Sequence, residues 1–246
     1  MRITSLSEKF GIFNFTCDVC GRELFTGARL CDACRAALPR ARCICPLCGR
    51  SVGEEGVCPE CKERRNACEK CRSAFLHEGD AARLVRRYKD GARYLAATLA
   101  GEMLPLLPAF ADAEALVPIP MTARAVRRRG FDHGRLLAET LSGLCGLPVL
   151  AAAVKQRETA PQKTLSRRER ERNLEGCFHI VRRAEVRGKT LLIADDTMTT
   201  GATVHELASA LLRAKAKKVY AVTFTSVAYR DVFGLPPAET LRRPLP

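Results

Sequence analysis

Thirteen cysteines stand in this 246-residue chain, and eleven of them fall between Cys17 and Cys71. They form five Cys-x-x-Cys pairs in order: Cys17/Cys20, Cys31/Cys34, Cys45/Cys48, Cys58/Cys61 and Cys68/Cys71, with Cys43 as an extra thiol. Ten residues separate Cys20 from Cys31, and nine separate Cys48 from Cys58. Those gaps suit a zinc ribbon, in which two tight turns approach the ion from either side of a short hairpin. Glycine follows the first pair of each set, as Cys20-Gly21 and Cys48-Gly49. It lets the turn reach positive φ and aim backbone amides at the thiolates. The expected ligands are therefore Cys17, Cys20, Cys31 and Cys34 for one Zn²⁺, and Cys45, Cys48, Cys58 and Cys61 for a second. Four thiolates make a closed, structural site with no position left for a substrate. Ribbons this small lack the core to fold alone, so metal binding supplies their folding energy. An iron–sulfur cluster is the alternative, because Cys43, Cys45 and Cys48 crowd together, and buried free thiols are a second. Cys68/Cys71 can replace Cys58/Cys61, hold a third metal, or do neither.

Reading these pairs as metal ligands rather than disulfides depends on compartment. Met1–Phe15 has no basic region followed by an apolar core and a small-residue cleavage site, so it does not read as a secretory signal. No apolar run reaches the roughly 18 residues of a membrane span. Leu95–Pro108 is broken by Glu102, Pro105 and Pro108. The expected location is the cytoplasm. Hydrophobic residues make up 47% and charged residues 28%, a folded rather than a disordered composition. The net charge is +14, aromatics are 6%, and Trp is absent. Such a surface favours phosphate-bearing partners held by charge more than by base stacking.

Beyond the cysteines, residues 75–110 read as helical. Asp80 is the expected N-cap, Leu84, Val85 and Tyr88 line one face, and Gly91 interrupts before a second helix carrying Tyr94, Leu95, Thr98, Leu99 and Met103. From residue 115 strand-like and helix-like segments alternate. Ala115–Val117, Val149–Val154, Phe178–Val181, Leu191–Ala194 and Val219–Val227 read as strands. Leu136, Leu137, Leu141 and Leu144 share a helix face, and His205–Leu212 is a further helix. The expected fold is α/β, with a central parallel sheet flanked by helices. The divisions are 1–72 for the ribbons, 73–112 for a helical region packed on the following domain, 113–232 for the α/β domain, and 233–246 for a Pro-rich tail.

One segment carries the chemistry. Leu191-Leu192-Ile193-Ala194 is a fully apolar strand, and Asp195-Asp196-Thr197-Met198-Thr199-Thr200-Gly201-Ala202-Thr203 follows it into a helix. The amides of the loop and helix start are donors for an anion, and Gly201 lets the backbone close on a phosphate. Thr197, Thr199, Thr200 and Thr203 add hydroxyls, and Ala202 adds an amide. Asp195 and Asp196 suit the vicinal hydroxyls of a ribose or a hydrated Mg²⁺. The carboxyl end of a parallel strand is also where α/β sheets bind ligands. A capped strand–turn–helix with no ligand is the plain structural alternative.

Charge concentrates nearby. Residues 124–172 hold twelve Arg or Lys against five acids. Arg124, Arg127, Arg128 and Arg129 are candidates for pyrophosphate or a DNA backbone. Arg167, Arg168, Arg170 and Arg172 are candidates too, or one face of a solvated helix. The four histidines share no ligand spacing and read as ordinary surface or core residues. His133 alone adjoins a motif.

The 195–203 segment resembles the phosphoribosyl pyrophosphate (PRPP) motif of type I phosphoribosyltransferases. Leu116-Val117-Pro118-Ile119-Pro120, Arg124–Arg129, Gly130-Phe131-Asp132, Tyr88-Lys89-Asp90-Gly91 and the stretch Thr159–Phe178, together with the cysteine zone, resemble the ComF family. The resemblance covers roughly Cys17 to Val227. It implies a type I phosphoribosyltransferase fold with an N-terminal double zinc ribbon, and a role in DNA uptake. It implies that Asp195 and Asp196 hold ribose hydroxyls and the Mg²⁺ environment, that Thr199–Thr203 cradle the 5′-phosphate, that the loop after Pro118 meets pyrophosphate, and that residues 155–172 hood the site. The family usually carries Asn-Gln after Gly-Phe, where this chain has Asp132-His133. Cys68/Cys71 is an addition to the usual pattern.

Three functions follow as expectations. The first is ribosyl transfer from PRPP to an unnamed acceptor, which needs positioning, Mg²⁺ and charge more than a strong base. The second is handling of single-stranded DNA without turnover. The third is an adaptor whose ribbons dock a DNA-translocating helicase or another DNA-processing protein.

Overall fold

The computed structural model describes residues 16–24, 26–63, 66–157 and 175–228. The hood segment from 158, the arginines at 167–172 and the tail therefore lie outside the described residues. Four parallel strands form the central sheet: β3 (Lys70–Leu76), β8 (Lys218–Ser226), β7 (Thr190–Met198) and β4 (Ala115–Pro118), in that spatial order. A single bridge from Leu116 to Val149 extends it past β4. The expected strand at 149–154 is thus reduced to that bridge and a short strand β5 (Ala153–Lys155), which pairs antiparallel with β6 (Phe178–Ile180).

Strand β7 is buried on both faces over its first five residues, as expected for an interior parallel strand. Leu192 and Ala194 face one layer, built from α3 (Gly79–Lys89), α4 (Leu95–Met103) and α6 (His133–Cys145). Leu191 and Ile193 face the other layer, built from α8 (Ala202–Arg213) and the β5–β6 pair. The period of two along the strand decides this split. On α6, Leu137 and Leu141 are fully buried whereas Leu144 stays 50% exposed. The apolar face foreseen there is therefore one turn shorter. Among the described residues no helix is long and apolar enough to cross a membrane.

Two expectations fail between residues 70 and 90. The region read as helical from 75 begins with strand β3, because Cys71, Phe75 and Leu76 bury themselves against β8. Helix α3 is not capped by Asp80. Glu78 precedes it without a side-chain cap, and Asp80 instead pairs with Arg83 at 2.9 Å. Gly91 does end the helix as expected, with φ of 115°.

The two cysteine modules dock on different parts of this body. The first packs on α3 and α4. Arg87 donates to the Asp18 carbonyl at 2.5 Å, Arg83 to the Val19 carbonyl at 3.2 Å, and Thr98 to the buried Asp18 carboxylate. Helix α1 (Asp32–Ala37) of this module adds the Arg35–Glu102 pair at 2.7 Å. The second module holds the hairpin β1 (Cys43–Ile44) and β2 (Ser51–Val52) and the short helix α2 (Pro59–Glu63). It leans on β3: the Cys71 amide donates to the Leu47 carbonyl at 2.8 Å, and Arg72 to the Pro46 carbonyl at 3.0 Å.

Gly49 marks the tightest point of that contact. Its φ is +68°, and a Cβ there would lie 2.3 Å from the Cys71 carbonyl oxygen. Gly21, in the matching turn of the first module, has φ of +74° but open space around it. Gly21→Ala should therefore cost only the backbone penalty of about 1 kcal/mol. Gly49→Ala should cost about 3 kcal/mol or more, because the steric clash adds to that penalty. Paired denaturant melts check this, and equal losses would remove Gly49 from the docking contact.

Candidate functional site

The first cysteine tetrad belongs to the module that holds α3 through Arg83 and Arg87, and the second to the module that leans on β3. In each expected set the four sulfurs lie within 4.8 Å of one another. Cys20 and Cys31 approach to 3.9 Å, and Cys48 and Cys58 to 3.7 Å. Four Zn–S bonds of ~2.3 Å in a tetrahedron place sulfurs ~3.8 Å apart, so the sets fit a structural zinc. Both first turns close as designed by their glycines, with Gly21 and Gly49 donating to Cys17 and Cys45 carbonyls at 2.8 and 2.9 Å. The amides of Cys31 and Cys58 reach the sulfurs of Cys17 and Cys45 at 3.4 Å. Burial pushes both thiols up, but backbone amides outweigh it and draw Cys17 down to about 6 and Cys45 to about 7. At the second tetrad, buried Arg50 pairs with Glu60 and lies against Cys48, opposing the negative charge that four thiolates leave on a divalent ion.

Cys68 and Cys71 join neither tetrad. They are 1% and 2% exposed in the core beside Cys177, and Cys71 is a residue of β3. Cys43 lies in β1, opposite Val52.

The acid pair sits where the sequence puts it, at the carboxyl end of the central strand, but the strand does not stop there. It runs on to Met198, pairing Asp195 with Thr223 and Thr197 with Thr225 of β8. The reason is a buried hydroxyl network. Thr197 Oγ1 lies 3.1 Å from Thr225 Oγ1, and Thr225 donates to the Asp196 carbonyl at 3.2 Å. Thr223 meets Ser73 at 2.7 Å, and His77 Nδ1 meets Thr225 at 2.9 Å. Thr197 thus serves the sheet.

Because strand side chains alternate, the two carboxylates leave on opposite faces. Asp196 turns toward α3 and α6 and is 1% exposed. Its Oδ1 lies 2.5 Å from Lys89 Nζ, and its Oδ2 lies 3.4 Å from His133 Nε2. Burial would raise this carboxyl, but Lys89 first and His133 second outweigh burial and hold it below the usual range. Burial, against the pull of Asp196, lowers His133. Among the described residues Asp195 has no such ion-pair partner. Burial first and the neighbouring Asp196 charge second push it up to about 8. Its Oδ1 accepts from the Asp196 amide at 2.9 Å.

Lys89 and His133 are the site residues that sequence reading missed. The signals were present: Lys89 lies in Tyr88-Lys89-Asp90-Gly91, and His133 stands beside Gly130-Phe131-Asp132. What was lacking was the contact between them. The Tyr88 hydroxyl donates to the His133 carbonyl at 2.6 Å, and the rings of Tyr88, Phe131 and His133 pack edge to face. Asp132 has its own task, since its carboxylate accepts from the Arg135 amide at 3.0 Å and caps α6.

After Met198 the chain turns through Thr199 and Thr200 to Gly201, whose φ of 77° opens α8. Thr200 is buried, and its hydroxyl accepts from the Ala202 amide at 3.3 Å. The amides of Thr199, Thr200 and Gly201 donate to no group among the described residues. A cluster of donors without a partner among the described residues therefore stands at the start of a twelve-residue helix. Arg124, Arg127, Arg128 and Arg129 lie exposed on α5 (Ala123–Arg129), capped by Thr122 and ended by Gly130. Arg129 reaches toward the Lys89 carbonyl at 3.5 Å, which sets the end of α5 beside the acid pair.

The raised Asp195 has a measurable consequence. A carboxyl raised on folding contributes stability below its unfolded value near 4, and that contribution is lost as pH climbs through about 8. Asp195→Asn mimics the neutral form at every pH. Its melting temperature should match wild type near pH 4 and exceed it by several degrees at pH 8.5. A constant gap across a pH series of thermal melts would show that Asp195 does not titrate this way.

Comparison with known proteins agrees with this layout. Residues 125–231 match the phosphoribosyl transferase domain. The chain is 31% identical over 193 residues to the DNA utilization protein YhgH of Salmonella typhi, covering 75% of this chain and 84% of that one. It is 28% identical over 226 residues to competence protein ComFC of Bacillus subtilis, covering 87% and 91%. It is also 28% identical over 214 residues to competence protein F of Haemophilus influenzae, covering 82% and 92%. These alignments cover three quarters or more of this chain, and so it belongs to the ComF family, with a phosphoribosyl transferase domain behind two cysteine tetrads.

Proposed function

We propose that this chain binds PRPP or a related phosphorylated ribose at the β7–α8 turn and acts in DNA uptake. The observation that carries the reading is the group of free amides at Thr199, Thr200 and Gly201, set beside an acid pair at the carboxyl end of the central strand. Such amides at a helix start are built for a phosphate dianion. Asp195, on the face away from Lys89, is the carboxyl left to meet the ribose hydroxyls. Thr199 and Thr203 flank the amides. The Mg²⁺ of PRPP enters on its pyrophosphate, which α5 and its arginines would face. Zinc is the ion assigned to both tetrads, on the sulfur spacings above. The DNA role is supported by the names of the relatives, two of which are competence proteins.

Calorimetric titration with Mg²⁺–PRPP tests the pocket without knowledge of an acceptor. Wild type should bind, and Asp195→Asn with Asp196→Asn should lose at least tenfold in affinity, about 1.4 kcal/mol, with zinc content unchanged. Full affinity in the double variant would remove the acid pair from the site.

A second reading, direct contact with single-stranded DNA, rests on the exposed arginines of α5. Each phosphate they neutralise should contribute roughly −0.7 to the slope of log affinity against log salt. Replacing Arg127, Arg128 and Arg129 with Ala should flatten that slope by about 2, read from fluorescence anisotropy across a salt series. An unchanged slope would place the DNA contact elsewhere.

A further inference from the structure

The acid pair read from sequence as a possible Mg²⁺ environment already holds a cation of its own. Lys89 Nζ lies 2.5 Å from Asp196 Oδ1, and Asp196 is 1% exposed. The other oxygen, Oδ2, is buried without a hydrogen-bond partner and looks toward His133 Nε2 at 3.4 Å. Neither oxygen offers what a divalent ion needs. Mg²⁺ demands near-octahedral oxygen ligands at ~2.0–2.1 Å and retains several waters, which a buried carboxylate covered by an ammonium and an imidazole does not accommodate. The donor set at Asp196 therefore does not fit a bound Mg²⁺.

Lys89 is not a passing surface lysine. It is the last residue of α3, and the residue before it, Tyr88, is fully buried and bonded to the His133 carbonyl. Arg87, one residue earlier, holds the first cysteine module. The helix end is thus fixed on two sides, which delivers the ammonium to Asp196. An ammonium has three donors. One is spent on Asp196, and 29% of the Lys89 side chain remains exposed.

We infer that Lys89 stands where a divalent cation would otherwise serve the acid pair, so that a ribose monophosphate binds this site without Mg²⁺. The inference rests on the phosphoribosyl reading proposed above. Lys89 acts through Asp196 and is a positioning residue: it neutralises a carboxylate that the fold buries and keeps it from repelling the phosphate bound at Thr199–Gly201.

Ribose 5-phosphate is the discriminating probe, because it lacks the pyrophosphate that carries Mg²⁺ into PRPP. Zinc-loaded full-length protein is titrated calorimetrically in metal-depleted buffer without chelator, and again with millimolar Mg²⁺, with zinc content checked in each case. Wild-type affinity should differ by less than about fivefold between the two buffers, under 1 kcal/mol. Lys89→Met should bind more than about fivefold more weakly than wild type without Mg²⁺ and recover when Mg²⁺ is added. Lys89→Arg, which keeps the charge, should behave as wild type. A structural role alone would not produce rescue by a divalent ion. The inference is overturned if wild type needs Mg²⁺ by more than about fivefold, or if Lys89→Met binds as well as wild type without it. Should Lys89→Met fail to fold, the wild-type pair of titrations decides alone. If wild type binds ribose 5-phosphate in neither buffer, the phosphoribosyl reading itself falls, an outcome distinct from binding that demands Mg²⁺.

Discussion

A carboxylate that is 1% exposed has to be charged against something, and in this protein that something is Lys89. An unpaired ionised group buried at that depth would cost several kcal/mol and would protonate instead. The pair therefore constrains how the chain is arranged around it. Strand β7 must end within reach of α3, α3 must end at Lys89, and α6 must start with His133 beside both. Tyr88 ties the last two together through its hydroxyl and its ring. The first cysteine module then has a structural purpose beyond its own fold. Its Asp18 and Val19 carbonyls receive Arg87 and Arg83, so it braces the helix whose final residue meets Asp196.

The neighbouring acid shows the opposite solution to the same problem. Asp195 has no cation in contact among the described residues, and it responds to burial and to the Asp196 charge by favouring its proton. Two adjacent residues of one strand thus differ in ionisation because the pleat sends them to different surroundings. Such a split is common where carboxyls do chemistry. Here it leaves one carboxylate as a fixed structural charge and the other as an adjustable group on the opposite face of the strand.

Much of this was readable in the chain before any coordinates. The apolar run Leu191–Ala194, the acids after it and Gly201 place an anion site at the end of a buried strand, and the strand is there. The tetrads follow from spacing, and the sulfurs converge as expected. What local pattern did not reveal lies in long-range contacts. Lys89 and Asp196 are far apart in sequence, and no periodicity connects them. The extension of β7 through Asp195–Met198 comes from hydroxyl partners on β8, which a strand reading of β7 alone does not contain. The helical reading of 75–110 failed at its start because β3 is an edge strand with an irregular burial pattern, too weak a signal beside the strong period of α3.

The fifth cysteine pair carries the sharpest lesson about motif and context. Cys17/Cys20 and Cys45/Cys48 each precede a glycine, whose positive φ lets the turn fold its amides back on the sulfurs. Cys31/Cys34 and Cys58/Cys61 instead sit at the starts of short helices, and in the first of these the Cys34 amide donates to the Cys31 sulfur at 3.4 Å. Cys71 has neither device. Arg72 follows it, and its backbone is committed to the β3–β8 ladder and to the Leu47 carbonyl. A strand cannot curl around a metal while its amides serve a sheet. The pair that copies the spacing but lacks the turn is therefore absorbed into the core. There Cys71 gives its carbonyl edge to Gly49, where the second cysteine module comes close enough to exclude any side chain.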